Sequence, residues 1–435
     1  MRNTLLFLLL SVCLSPSVYS KVISAADYKG KFEDDTELFI YMFTKVSNGT
    51  TIVLEPCTYT INSLKHFGKI QYDDAFITVT KKKRVSIVGN GATIVDIANK
   101  AQIANNLFSF IKFDRCSQIN ISDLTYRWQY EATLDPKVEG IIFIRTIDEC
   151  KKFDVDVSVI NAGRGLYAGL FECEHDPGKG LYDSRIKVRA QKVGYSIGIE
   201  KGSKLEIKNY FDICHRGLYL AGVTNSTVYS EGKEAFSTHV NMLLTDHANI
   251  TGCFHCDNID ATVVDTGTKV LSQQVNMVIC QTYPLSRKMY AGRDPYRVSN
   301  IKLHIFTPAQ KETTFNIFGF TDNAKINDYF NIFVDGDLKD DPNKGRLFRF
   351  GMLPQGNVSF FGFDREMNYI IIDRPLPRGF QASFKNCSNV VVDNQSQDVD
   401  SDGTISFTAC TFKRIYKNDK AKTGKFAPII VKDQH

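Results

Sequence analysis

The sequence predicts an all-β chain wound into a parallel solenoid, and three observations lead there. A short apolar phrase returns between Gly140 and Cys280 as Gly140-Ile-Ile-Phe, Gly165-Leu-Tyr-Ala, Gly194-Tyr-Ser-Ile, Gly217-Leu-Tyr-Leu, Val240-Asn-Met-Leu and Val275-Asn-Met-Val. Its starts lie 25, 29, 23, 23 and 35 residues apart, the near-regular period of stacked repeats with insertions. A second phrase recurs inside each repeat, at Cys116-Ser-Gln-Ile-Asn-Ile, Cys150-Lys-Lys-Phe-Asp-Val, Asp183-Ser-Arg-Ile-Lys-Val and Gly202-Ser-Lys-Leu-Glu-Ile. The strands are short, alternate with period 2 and have no long amphipathic helix between them. A β-sandwich or propeller would require hairpin turns and a longer blade period.

Residues 1–20 read as a secretory signal. Arg2 precedes the apolar run Leu5 to Leu10, and Val18-Tyr-Ser20 is a small-x-small cleavage site. The run is too short to span a membrane, and no later stretch approaches about 20 apolar residues. The mature chain is expected to be exported, extracellular or periplasmic. Residues 21–412 are assigned to one solenoid of about ten coils, including an N-terminal cap, and 413–435 to a basic C-terminal tail or cap.

The formal charge of +5 over 435 residues is mild and suits an anionic partner. Lys and Arg are spread along the chain without a nucleic-acid motif, which argues against nucleic acid. Of the 11 cysteines, Cys116, Cys150 and Cys387 each open a strand phrase and read as small buried residues stacked between coils. Cys253-Phe-His-Cys256 offers too few ligands for a closed zinc site. Asn-x-Ser/Thr triplets occur at Asn48, Asn120, Asn225, Asn249, Asn357, Asn386 and Asn394.

Asp34-Asp35-Thr36-Glu37 ahead of Leu38, Phe39, Ile40, Met42 and Phe43 predicts a capped helix with an apolar face. Asn48 to Ile61 follows as turn, buried strand, turn, strand. Val85-Ser-Ile-Val-Gly-Asn-Gly-Ala-Thr-Ile94 then gives strand, Gly-rich corner, strand. These phrases in this order resemble the entry of the pectate-lyase-like right-handed parallel β-helix superfamily, in which a "DDT" helix, a "G-T-x-x-x-P-x-G-x-Y" hairpin and an "I-x-G-x-G-A-T-I" coil succeed one another. Asp34, Asp35, Thr36, Pro56, Tyr59, Gly89, Gly91, Ala92 and Ile94 match, and Cys57 stands where the pattern has Gly. The resemblance covers residues 28–97 and implies a right-handed parallel β-helix with a short N-terminal capping helix.

Stacking in register would bring equivalent residues to within about 4.8 Å along one face. The positions just before the recurring strands read Glu139, Arg164, Val193, Arg216, His239 and Gln274; one residue earlier they read Val138, Gly163, Lys192, His215, Thr238 and Gln273. Arg164, Lys192, His215, Arg216 and His239 would thus form a cationic groove suited to an acidic polysaccharide. Abstracting the proton beside a uronate carboxylate requires that carboxylate to be neutralised and a base to be at hand. The favoured reading is a carbohydrate-active lyase working by β-elimination. In it Arg164 and Arg216 bind the carboxylate, Lys192 or His215 is the base, and His239 is the acid.

A second column reads Phe171, Glu200, Val223 and Asp246. It offers Glu200 and Asp246 as the carboxylate pair of a glycoside hydrolase, about 9–10 Å apart across two coils. A non-catalytic polysaccharide-binding or assembly scaffold is the third reading. Glu172, His175 and Asp176 sit in a long loop above the groove, and His175-Asp176 is similar to the "D-P-H-D" of alginate C5-epimerases in a different order. Arg185-Ile-Lys187 is similar to the "R-I-K" of polygalacturonases, whose other elements are absent. Asp398, Asp400 and Asp402, followed by Gly403, have calcium-loop spacing, with Ala409 where a bidentate Glu would close the loop. A bound Ca²⁺ there would be structural. Tyr167, Tyr195 and Tyr219 are either a core ladder or a sugar-stacking platform.

Overall fold

The computed structural model describes residues 21–71, 74–103, 108–130, 140–169, 180–245, 256–266, 275–283, 297–306, 313–318, 329–335, 346–350, 355–361, 368–372, 380–394, 404–417 and 429–432. Every strand pairing among them is parallel, and the fold is the right-handed parallel β-helix that the sequence predicted. A parallel coil cannot satisfy its own backbone groups, so each coil depends on the next for hydrogen bonds as well as for burial.

The cap comes first. Asp35–Thr44 is a helix whose N-cap, Asp34, accepts the Glu37 amide at 3.0 Å. It buries Thr36, Leu38, Phe39 and Met42 over the first coil, an apolar face formed as its spacing predicted. Asp35 reaches across to accept the Thr60 amide at 2.7 Å, which ties the cap to the strand Thr58–Ile61. The entry motif has visible physical reasons. A Cβ on Gly89 would stand 2.1 Å from the carbonyl oxygen of Asp123 in the next coil. Asn90 donates from Nδ2 to the Leu54 carbonyl at 2.9 Å, and Gly91 takes φ +79°.

Two ladders run the length of the molecule. The first carries an apolar residue at every rung: Ile23, Ile52, Ile87, Ile121, Val155, Ile186, Ile207, Val228, Ala261, Leu303, Val334, Phe360, Phe384, Phe407 and Val431. That makes fifteen rungs among the described residues, more than the ten coils expected. Short strands from Arg297–Phe306 to Asn368–Ile372 continue both ladders, and Phe412–Lys417 and Ile429–Lys432 extend them past residue 412. Burying one such ladder residue contributes about 1.5–3 kcal/mol each for Ile, Val, Leu or Phe.

The second ladder reads Thr78, Lys112, Arg145, Tyr167, Gly198, Tyr219, Asn241, Ile279, Asn316, Arg349, Ile371, Asp393 and Tyr416. Polar, charged and aromatic residues replace most of the aliphatic ones here, Ile279 and Ile371 excepted. At Tyr167 and Tyr219 this column lies outside the main core, which its strand neighbours Leu166, Ile197, Leu218 and Leu220 join.

The coils are joined by a recurring tight corner. At Arg115 the chain takes φ +53°, and the Cys116 thiol donates to the carbonyls of Val79 at 3.1 Å and Asp114 at 3.4 Å. At Asn386 it takes φ +54°, and the Cys387 thiol donates to the Lys385 carbonyl at 3.5 Å. Cys116, Cys150 and Cys387 are buried as the sequence suggested, at 1%, 0% and 2% exposure. The corner at Arg115 leads from the second ladder into the first, whereas the one at Asn386 leads from the first into the second. The likeness between Phe113-Asp-Arg-Cys and Phe384-Lys-Asn-Cys therefore marks one local joint used at two different junctions.

Candidate functional site

The expected cationic column needs correction in its register. Arg164 pairs with Tyr195, Tyr195 with Arg216, and Arg216 with Thr238. Arg164 and Arg216 thus share one ladder two coils apart, but Tyr195 stands between them, not Val193. Val193 pairs with Cys214, so Lys192 stands two places before the position of His215. Thr238 and Val240 pair with Arg216 and Leu218, so His239 lies beside Gly217, one place off the arginine ladder. The cause lies in the glycines, which aligned the phrases on paper but stand in the fold for separate reasons. Gly165 passes within 2.5 Å (as a Cβ) of the Ser196 carbonyl, while Gly198 makes room for the Tyr167 ring.

The carboxylate column is corrected in the same way. Val223 pairs with Gly202 rather than with the rung of Glu200, whose amide donates to Ala168 at 2.9 Å. Asp246, Glu172, His175, Asp176 and the proposed calcium ligands Asp398, Asp400 and Asp402 all lie outside the described residues. Among the described residues no cluster of three His, Cys, Asp or Glu side chains could hold a metal ion.

The fold assembles an outer-face cluster from three consecutive coils. The strand Arg164–Ala168 supplies Arg164 and Tyr167, Val193–Ile199 supplies Tyr195, and the far half of Gly202–Ala221 supplies His215, Arg216 and Tyr219. Glu200 follows the second of these strands. The Arg164 guanidinium lies 4.0 Å from the centre of the Tyr167 ring and 5.2 Å from that of Tyr195; Arg216 lies 5.2 Å from Tyr195 on the other side. Tyr195 is therefore flanked by two cations, a geometry in which the ring faces attract positive charge. His215 and Tyr219 meet Tyr195 edge-on, with centroids 6.3 and 6.0 Å away. Tyr167, Tyr195 and Tyr219 thus belong to the outer face.

Most of this cluster is shielded from water. Arg164, Tyr167, Glu200, His215 and Tyr219 are each under a tenth exposed, while Tyr195 and Arg216 are half-buried and form its open side. The Tyr167 hydroxyl donates to Glu200 Oε1. Burial pushes the Tyr167 hydroxyl well above its ordinary range, the Glu200 charge adds to this, and Arg164 opposes it. Tyr219 is pushed up likewise, first by burial and then by Glu200 and Tyr195, against Arg216 and Arg164. Both phenols therefore keep their protons at ordinary pH and act as donors. The Nε and Nη1 groups of Arg164 are buried without a hydrogen-bond partner, which leaves its fork available to an oxyanion.

Arg145 was overlooked in the sequence. It sits one rung before Tyr167 on the same ladder, fully buried. The available signal was a single charge inside Ile141–Ile147, an otherwise apolar strand with one threonine, since buried arginine is uncommon without a partner or a task.

Comparison with known proteins adds little to this geometry. No protein-family model matches the chain, and no curated protein matches it. Among solved structures the chain is similar to the catalytic domain of Agl-KA, with TM-score 0.49 and 10% identity over 94% of this chain and 68% of that one. It is also similar to the family 28 exopolygalacturonase of Yersinia enterocolitica, with TM-score 0.35 and 10% identity over 95% of this chain and 78% of that one. Likenesses of this size carry no argument about chemistry, and the β-helix stands on its own strand register.

Proposed function

We propose that the protein is a carbohydrate-active β-helix that cleaves an acidic, uronate-containing polysaccharide by β-elimination at the Arg164–Arg216 cluster. The observation that carries this reading is the pair of guanidiniums flanking Tyr195 in a site largely closed to water. Elimination places negative charge on the uronate carboxylate as the adjacent proton leaves. Fixed cations in a poorly hydrated site stabilise that charge far more than they would in water. In this reading Arg164 and Arg216 hold the carboxylate and His215 takes the proton. Tyr219, kept protonated by its surroundings, gives a proton to the departing glycosidic oxygen. Glu200 fixes the Tyr167 ring on which Arg164 lies. Lys192 and His239 have a smaller part here than the sequence alone suggested, because the register moves both away from the arginine ladder.

A glycoside hydrolase using Glu200 with Asp246 remains the second reading, favoured by the burial of the Glu200 carboxylate beside the cluster. The two are separated by incubating the protein with alginate, polygalacturonate, hyaluronan and chondroitin. The elimination reading expects ultraviolet absorbance from unsaturated uronates on at least one of them, abolished in Arg164→Ala and His215→Ala. New reducing ends without that absorbance would replace it with the hydrolase. Binding without any cleavage would replace both with a polysaccharide-binding scaffold.

A further inference from the structure

A second cleft of about 600 Å³ opens on the coil arms that precede the corner at Asp212, whereas Arg216 and Tyr219 follow that corner. Its volume falls within the range of small-ligand sites, roughly 300–1,000 Å³. Its lining is built from successive rungs: Arg189 pairs with Tyr210, and Tyr210 with Glu231. Most of the charges come in opposite-sign partnerships, while Glu231 holds a neutral phenol. Lys187 and Arg189 share Asp156, Lys233 meets Asp212 at 3.4 Å, and Glu231 accepts the Tyr229 hydroxyl at 2.8 Å. Opposed pairs at this range cancel most of the field that would draw in an ion. They still present N–H donors and carboxylate lone pairs side by side.

Tyr210 contributes a half-buried ring, 5.8 Å from that of Tyr229. Behind it Phe211 lies flat against Gly232, where a Cβ would fall 1.9 Å from the ring, so the apolar floor is held in place by the coil above. A ligand satisfying this lining must offer hydroxyls that both donate and accept, an apolar face to lie on an aromatic ring, and no net charge. The geometry points to a binding site for a neutral saccharide, separate from the arginine cluster and independent of the elimination reading. Such a site would hold uncharged glycan on the same molecule while the arginine cluster engages its acidic polymer.

The test is a printed array of neutral gluco-, xylo-, manno- and galacto-oligosaccharides beside uronate and sulfated glycans, probed with the full chain. The proposal expects binding to at least one neutral glycan. That binding should fall at least tenfold in Tyr210→Ala and in Glu231→Gln, and stay unchanged in Arg164→Ala. Should Tyr210→Ala fail to fold by circular dichroism, Lys233→Ala at an exposed position provides the second reading, with an expected loss of about threefold. No neutral glycan bound, binding to uronates only, or neutral binding indifferent to the Tyr210 and Lys233 variants would each overturn it. Retained neutral binding in a protein without lyase activity would reject the elimination reading alone.

Discussion

The ring of Tyr167 lies across the backbone of Gly198 in the following coil, so closely that a Cβ on Gly198 would stand 2.5 Å from the ring edge. This contact sets the height of the Tyr167 ring, and with it the positions of Glu200 at the hydroxyl end and Arg164 on the ring face. Replacing Gly198 by Ala is expected to displace the ring and destabilise the protein by about 1–3 kcal/mol, the usual range for overpacking. A melting curve measures the stability loss. Turnover of the acidic substrate should fall more steeply than that loss accounts for.

Arg164→Lys separates charge from shape. Lysine keeps the positive charge but loses the planar fork and its stacking on Tyr167. Turnover is expected to fall about 100-fold with little change in melting temperature. An equal fall in Arg216→Lys would indicate that both guanidiniums face the same carboxylate; a much smaller fall there would assign Arg216 to a neighbouring sugar.

Asp96 predicts a pH dependence of stability. Its carboxyl is fully buried and accepts the Ser63 amide at 3.2 Å, the Ala98 amide at 3.0 Å and the Tyr126 hydroxyl at 2.9 Å. Burial raises its pKa, with these donors pulling it back only in part. An acid whose folded pKa exceeds its unfolded value favours folding most at low pH, below about 3.9. That contribution is lost as pH rises through the folded value. Asp96→Asn imitates the protonated acid, so its melting temperature relative to the parent should rise with pH across this window. A constant difference would show that the donors just offset burial, and a difference that falls with pH would show that they outweigh it.

The cap makes a separate prediction. Asp34→Ala removes the acceptor for the Glu37 amide and an ion pair to Lys65 at 2.8 Å. The lost cap is worth about 1 kcal/mol, and the exposed ion pair adds little to it. A drop in melting temperature with unaltered turnover is the expected result, since the helix caps the first coil, several coils before the arginine cluster.

Thiol chemistry offers a test of the corners. Cys57 is exposed, whereas Cys116, Cys150, Cys214 and Cys256 are buried. Burial pushes the Cys150 thiol up to about 12 and the Cys256 thiol to about 11, which suppresses the reactive thiolate. Brief alkylation of the native protein followed by peptide mapping should label Cys57 and spare those four.

The solenoid was legible because its signals are local and repeated. Alternating apolar strands, glycine corners and the Asp34 cap each work within a few residues. Register was not legible, because it depends on how many residues each corner consumes. The distance from Ile121 to Val155 is 34 residues, but that from Ile186 to Ile207 is 21. Aligning Gly165 with Gly194 put Val193 where Tyr195 belongs, and that slip hid the aromatic plate between the two arginines. Arg164, His215, Arg216 and Glu200 were all visible as candidates. The contact that organises them, a tyrosine lying over a glycine, has no signature in either residue taken alone.

The corner shared by Arg115-Cys116 and Asn386-Cys387 has a consequence for how the molecule can change. Because the same left-handed residue and thiol close the turn at both junctions, the joint does not depend on which ladder it leaves. A whole turn of the coil, cut between two such joints, is therefore a transferable part. Removing or duplicating one near the C-terminal end should shorten or lengthen the rod while leaving the arginine cluster untouched.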